Sequence, residues 1–127
     1  MRQIAIFIAV GTAAALTHLS IVFAAVELFA VRPLTANVMG FCIAFFVSFS
    51  GHARWTFPVA PARQAAARTR FFAVALTGFV LNQTAYAEAL HLFGPRYYLP
   101  ALAAVLLGVA AATFILSKLW AFANPQA

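Results

Sequence analysis

The sequence predicts an all-α integral membrane protein: four transmembrane helices forming two tandem, parallel-repeat helical hairpins, with both termini on the cytoplasmic side. Three observations predict it. Of 127 residues, 65% are hydrophobic and only 8% are charged, against roughly a quarter charged in soluble domains. The apolar residues gather into four runs, each reaching the ~20 residues that cross ~30 Å of hydrocarbon at 1.5 Å per residue. The Lys and Arg residues lie between these runs or at their ends, and do so unevenly. Fourteen Phe residues and 15% aromatic content exclude a disordered chain. Four spans leave no room for a separate soluble catalytic domain.

The first run extends from Ile4 to about Phe29, the second from about Leu34 to Trp55, the third from about Phe71 to Phe93, and the fourth from about Leu99 to Phe122. Pro33 suits the first turn of the second helix, where its missing N–H costs nothing. Short Pro-containing breaks, Ala30–Pro33 and Gly94–Arg96, join spans one to two and three to four as antiparallel hairpins. The first run exceeds the apolar core of a secretion signal, so it is read as a retained span. The chain is thus a single membrane domain over 1–127: repeat one about 4–57, a cytoplasmic loop 58–70, and repeat two about 71–122.

A net charge of +6 does not indicate nucleic acid, because the basic residues form no face of a globular domain. They write topology instead. Arg2, Arg54, Arg63, Arg68, Arg70 and Lys118 fall on one side, and Arg32 and Arg96 on the other. The richer side is expected in the cytoplasm, and the six-to-two bias argues against dual topology. The loop from Pro58 to Arg70 is basic and Ala-rich, suited to anionic lipid, with a short interfacial helix from Ala62 onward. Cys42 lies within an apolar run, is expected to be a small apolar filler, and has no neighbouring ligands for a metal.

The hairpin is written twice. Phe7-Ile8-Ala9-Val10 resembles Phe71-Phe72-Ala73-Val74, and Trp55-Thr56-Phe57 resembles Trp120-Ala121-Phe122. Two spans per unit give both units one orientation, related by a pseudo-twofold axis along the membrane normal. His18 then falls opposite Asn82, and Ser20 opposite Thr84. The helix stripe Ala13, Thr17, Ser20, Ala24, Glu27 matches Thr77, Leu81, Thr84, Glu88, His91. Such small and polar stripes are expected at helix contacts or a lined cavity.

Polar groups inside hydrocarbon cost several kcal/mol unless paired or wetted, so they are candidates for function. His18, Asn82, Gln83, Ser20, Thr84 and Glu88 form a candidate polar path. Asn82 and Gln83 point about 100° apart on a helix, so both are not expected to serve one neighbour, and Asn82 is preferred. Glu88 and His91 are spaced to pair. At the cytoplasmic ends, Ser50, His52, Arg54 and Trp55 close span two, and Ser117, Lys118 and Trp120 close span four. Arg54, Lys118 and His52 offer cationic donors at headgroup depth, suited to a phosphate, and the two Trp residues offer flat apolar faces. No Gly-rich phosphate loop, paired Cys or nucleophile elbow occurs, so no enzyme, cofactor or metal chemistry is expected.

From Phe7 to Phe122 the chain resembles the GtrA-like family of small four-span proteins in bacterial surface-polysaccharide pathways. The resemblance rests on Phe7-Ile8-Ala9-Val10-Gly11, Ser50-Gly51-His52-Ala53-Arg54-Trp55-Thr56-Phe57, Asn82-Gln83 and Ser117-Lys118-Leu119-Trp120-Ala121-Phe122. The family pattern has an Asn and an Arg before each Trp. Here Gly51-His52 replaces the Asn region and Arg54 adjoins Trp55. The resemblance implies translocation of a polyprenyl-phosphate-linked monosaccharide across the bacterial inner membrane. Four spans enclose little volume, so a homo-oligomer, most simply a dimer, is expected. A membrane scaffold that partners a polyprenyl-phosphate glycosyltransferase is the alternative. A small cation or multidrug exporter is a third class, and Glu27 lies too near a helix end for it.

Overall fold

The computed structural model describes residues 2–56, 58 and 60–121, apart from the side chain of Ser117. Four long helices follow one another: α1 (Arg2–Phe29), α2 (Pro33–Gly51), α3 (Gln64–Phe93) and α4 (Tyr98–Leu116). α2 and α4 each continue into a five-residue π-helical turn, His52–Thr56 and Ser117–Ala121 respectively. Short 3-10 turns, Pro61–Arg63 and Pro95–Tyr97, lead into α3 and α4. α1 packs along α2 and α3 along α4, while α2 against α3 and α1 against α4 complete the four-helix arrangement.

Among the described residues, three segments are long and apolar enough to cross a membrane: Arg2–Phe29, Pro33–Thr56 and Pro95–Ala121. α3 has 30 residues, or about 45 Å at 1.5 Å per residue, yet falls outside that set. The physical reason is its polar content: Arg68 and Arg70 in its first two turns, then Asn82, Gln83, Glu88 and His91. The expected interfacial helix after Ala62 is not separate. Residues 64–70 are the opening turns of α3 itself.

The hairpin turns follow local chemistry. α1 ends at Phe29, Ala30 takes a positive φ of 54°, and the Val31 N–H reaches back to the Ala25 carbonyl at 3.0 Å. This is the left-handed cap that usually falls to Gly. Arg32 is extended, as the residue before a proline must be, and Pro33 opens α2. At the other turn Gly94 takes φ 87° and its N–H caps Leu90 at 2.8 Å.

The inward stripe of α1 is Val10, Ala14, His18, Val22 and Ala25, and that of α3 is Ala67, Phe71, Val74, Asn82 and Tyr86. This corrects the expected small-polar stripe. Ser20, Glu27, Thr77, Thr84, Glu88 and His91 are exposed on the outside of the bundle. Three of the threonines need no neighbouring helix: Thr17, Thr77 and Thr84 donate to Ala13, Ala73 and Val80 carbonyls of their own turns at 2.8–2.9 Å. Glu88 and His91 do not bond each other. Cys42, read as a filler, is exposed on α2.

Two apolar clusters form the core. Near the chain ends, Ala67, Phe71, Val74 and Ala121 pack with Phe7, Phe45, Phe49 and Phe114. Near the hairpin turns, Val22, Ala25, Ala36, Leu102 and the fully buried Tyr86 pack together, with the Tyr86 hydroxyl on the Tyr98 carbonyl at 2.9 Å.

Two glycines set the α1–α2 approach. A Cβ at Gly51 would lie 2.5 Å and 2.9 Å from the two methyls of Val10, and one at Gly40 would lie 2.5 Å from His18 Cδ2 and 3.0 Å from the His18 carbonyl oxygen. Val10 is β-branched and stiff, and a backbone oxygen cannot turn aside. Gly51→Ala and Gly40→Ala are therefore expected to lower stability by about 1–3 kcal/mol through overpacking. Gly108→Ala, where a Cβ meets nothing within 4 Å, should change little. Unfolding in detergent micelles or bicelles checks the contrast.

Candidate functional site

Polar side chains converge at two places. The first is inside the bundle. His18 from α1, Asn37 from α2 and Asn82 from α3 are 5%, 0% and 3% exposed. His18 Nε2 meets Asn37 Oδ1 at 2.6 Å. Asn37 Nδ2 donates to Asn82 Oδ1 at 2.6 Å and to Gln83 Oε1 at 2.7 Å. Gln83 Nε2 then donates to the Leu34 carbonyl at 3.0 Å. The structure thus brings together three expected residues, His18, Asn82 and Gln83. It also corrects the expectation that Asn82 and Gln83 would not share a neighbour, because the longer Gln83 side chain reaches round to the same amide. The residue that gathers them, Asn37, was missed by sequence reasoning. Ser20, Thr84 and Glu88 do not join this cluster, since they face outward.

Beside the cluster lies an open-sided cleft of about 160 Å³ lined from all four helices, including Phe7, Gly11, His18, Phe45, Ser48 and Thr113. The adjoining α1–α4 seam is an apolar groove. One stretch of about 360 Å³ runs past Ile8, Gly11, Ala15, Leu107 and Ala110. A second of about 480 Å³ runs past Leu16, Ser20, Phe23 and Pro100. At the hairpin-turn end the Tyr98 hydroxyl donates to Glu27 at 2.6 Å, tying α4 to α1.

The second convergence is the end that holds both π-helical turns. Arg54 lies over its neighbour Trp55 at 5.7 Å, and both are exposed. Lys118 lies over Phe114 at 5.9 Å. Arg70, at the start of α3, lies over Trp120 at 5.7 Å, and Arg68 lies over Phe49 at 5.8 Å. Sequence reasoning gives Arg68 and Arg70 to topology and attraction of anionic lipid; the structure adds both to this cationic, aromatic rim. Ser50 is exposed on the last turn of α2. Ser117 starts the second π turn, its side chain outside the described residues, as are Phe57 and Phe122.

His52 departs from expectation. It is 2% exposed, stacked on Phe7 at 4.8 Å and 17°, with Nδ1 3.0 Å from the Thr56 hydroxyl. It does not share the surface of Arg54. Residues two apart on a helical turn point to roughly opposite sides, about 200° at 100° per residue, so a chain that turns Arg54 outward turns His52 into the core. Its place is behind the π turn, where the Gln3 side chain also donates to the Thr56 carbonyl at 3.2 Å.

The inner cluster sets a testable order of effects. Asn37→Ala leaves His18, Asn82 and Gln83 without their shared partner in the bundle centre. Hydrogen bonds between membrane helices average ~0.6 kcal/mol and reach ~2, so a loss of about 1–3 kcal/mol is expected, the upper part from the orphaned groups. Ser20→Ala and Thr84→Ala should be close to neutral. Thermal unfolding of the three variants in one membrane mimic checks this ranking.

Comparison with curated proteins and with solved structures finds no match. A family model does match, and its span covers both hairpins, the buried amide cluster and the cationic rim. Over residues 6–122 the chain matches the GtrA/DPMS transmembrane domain, and it belongs to that family.

Proposed function

We propose that the protein translocates a polyprenyl-phosphate-linked monosaccharide across the bacterial inner membrane, as a non-enzymatic flippase. Membership of the GtrA/DPMS family is consistent with a membrane function related to polyprenyl-phosphate sugars. The observation that carries the finer reading is the cationic, aromatic rim. Arg54, Arg68, Arg70 and Lys118 each lie within 6 Å of an aromatic ring at one end of the bundle. A phosphodiester at headgroup depth meets charge-assisted donors there, and Trp55 and Trp120 give apolar faces for a sugar or the first isoprene units.

In this reading the rim is cytoplasmic, the four helices all span, and the two hairpins are parallel repeats. The two π turns, 65 residues apart like Trp55 and Trp120, support the repeat. α3 spans despite its polarity because Asn82 and Gln83 are satisfied inside the bundle. The prenyl chain stays in lipid along the α1–α4 seam. His52 backs the rim without touching the cargo. Transport runs downhill toward consumption of the sugar outside, and a dimer provides the volume that four helices lack.

One observation favours a second reading, a scaffold for a polyprenyl-phosphate glycosyltransferase. His18, Asn82 and Gln83 bond one another through Asn37, and Ser20, Thr84 and Glu88 face outward, so the polar path is not continuous.

Reconstitution decides between them. Protein in liposomes holding a polyprenyl-phosphate-linked hexose should speed the exposure of the inner-leaflet pool. Each hydrogen bond to a charged group contributes about 1.5–3 kcal/mol. Arg54→Ala or Lys118→Ala should therefore slow the process by roughly ten- to a hundredfold, at about 1.4 kcal/mol per decade. No acceleration by folded wild-type protein, together with co-purification of a glycosyltransferase, would favour the scaffold.

A further inference from the structure

The hydrogen-bond directions of the inner cluster can be worked out from one fixed point. The Leu34 carbonyl oxygen only accepts, so the Gln83 atom 3.0 Å from it is the donor Nε2. Gln83 then presents Oε1 to Asn37, and the Asn37 atom at 2.7 Å is the donor Nδ2. The second proton of that amide goes to Asn82 Oδ1 at 2.6 Å. Asn37 is left with Oδ1 toward His18, so His18 Nε2 carries a proton and donates across 2.6 Å. A ring holding one proton holds it there, and Nδ1 is left as a lone-pair acceptor.

The orientation of the ring follows from Gly40. A Cβ at Gly40 would meet His18 Cδ2 at 2.5 Å and Nε2 at 3.0 Å, so this edge faces α2. The opposite edge, which carries Nδ1, is turned away from α2, and His18 lines the open-sided cleft of about 160 Å³, which has room for a water or a ring hydroxyl. Ser48 and Thr113 also line it, from α2 and α4, among Phe7, Phe41, Phe45 and Leu106. No described residue hydrogen-bonds to the Ser48 or Thr113 hydroxyl or to Nδ1 of His18, which is 5% exposed. A buried polar atom without a protein partner beside an apolar cleft is where a ligand's polar group would be held.

We propose that this cleft is a binding site for a hydroxyl group, with His18 Nδ1 as its acceptor. The Leu34–Gln83–Asn37 chain is the device that fixes the proton on Nε2 and keeps Nδ1 open. The hydroxyl has two sources: water, or a sugar hydroxyl of the cargo, the second resting on the flippase reading.

Solid-state NMR on protein labelled with ¹⁵N at its histidines, in phosphatidylethanolamine–phosphatidylglycerol vesicles, tests it. Spectra would be taken alone, with polyprenyl phosphate, and with polyprenyl-phosphate-linked hexose, His18→Gln identifying the resonances. The expected result is a proton on Nε2 in all three samples and a contact from an exchangeable proton to Nδ1. That contact comes from water in the first two samples. If the cargo's sugar is the source, it is replaced by a sugar hydroxyl in the third; a water contact there too keeps the site and assigns it to water. Ala15 lines the cleft one turn before His18, so Ala15→Leu should fill the space beside the ring and remove the Nδ1 contact while Nε2 stays protonated. A proton on Nδ1, no exchangeable contact in any sample, or a contact unchanged by Ala15→Leu would overturn the proposal. Failure of the flippase reading shows separately, as absent transport with the water contact intact.

Discussion

The amide of Asn37 has to be satisfied in a bundle centre that offers little besides apolar side chains. It is fully buried and makes all three of its hydrogen bonds to side chains of α1 and α3. Much of the remaining geometry follows from that requirement. α1 must come close enough for His18 to reach α2, which Gly40 permits by having no side chain. α3 must place two successive amides at one level, and it does so by using the different lengths of Asn82 and Gln83. The result crosses from the first hairpin to the second, so a bond network rather than apolar packing alone sets how the hairpins sit. In lipid this matters more than in water, because apolar contact between helices has no hydrophobic drive.

The network also lies apart from the cationic end of the bundle. At the rim, four cations rest on aromatic rings, and in the proposed orientation their stems lie along apolar surface with the charge near the headgroup layer. In the interior, the polar groups are closed on one another and border a cleft. In the proposed reading a phosphate meets the first and a hydroxyl the second. Passage of a sugar between the two requires the interior bonds to exchange partners, so the reading as a transporter implies a second arrangement of His18, Asn37, Asn82 and Gln83.

The helices and hairpin turns were legible in the sequence because apolar run length and proline position dictate them. His18, Asn82 and Gln83 were legible as well, since a polar residue within an apolar run stands out. Asn37 was not. It sits four residues after Pro33, where it reads as part of a helix start, and its counterpart 65 residues on is Leu102, so the repeat gave no echo. The outward turn of Ser20 and Thr84 was hidden for another reason. A hydroxyl that bonds to its own helix can face either way, and composition does not distinguish the two. His52 was misplaced because a Gly-His-x-Arg sequence names four residues at one depth without saying which faces in. The cations Arg68 and Arg70 read as part of a basic loop for topology and anionic lipid, and only the continuity of α3 through residues 64–70 carries them onto the rim.

The central claim is that Asn37 couples the two hairpins energetically. A double-mutant cycle measures it most directly: Asn37→Ala, Asn82→Ala and the double variant, with unfolding followed in bicelles. The account predicts a coupling of about 0.6–2 kcal/mol, the range for hydrogen bonds between membrane helices, and a clearly smaller coupling between Asn37 and the outward Thr84. Additive effects at Asn37 and Asn82 would contradict it and leave the hairpins held by packing alone.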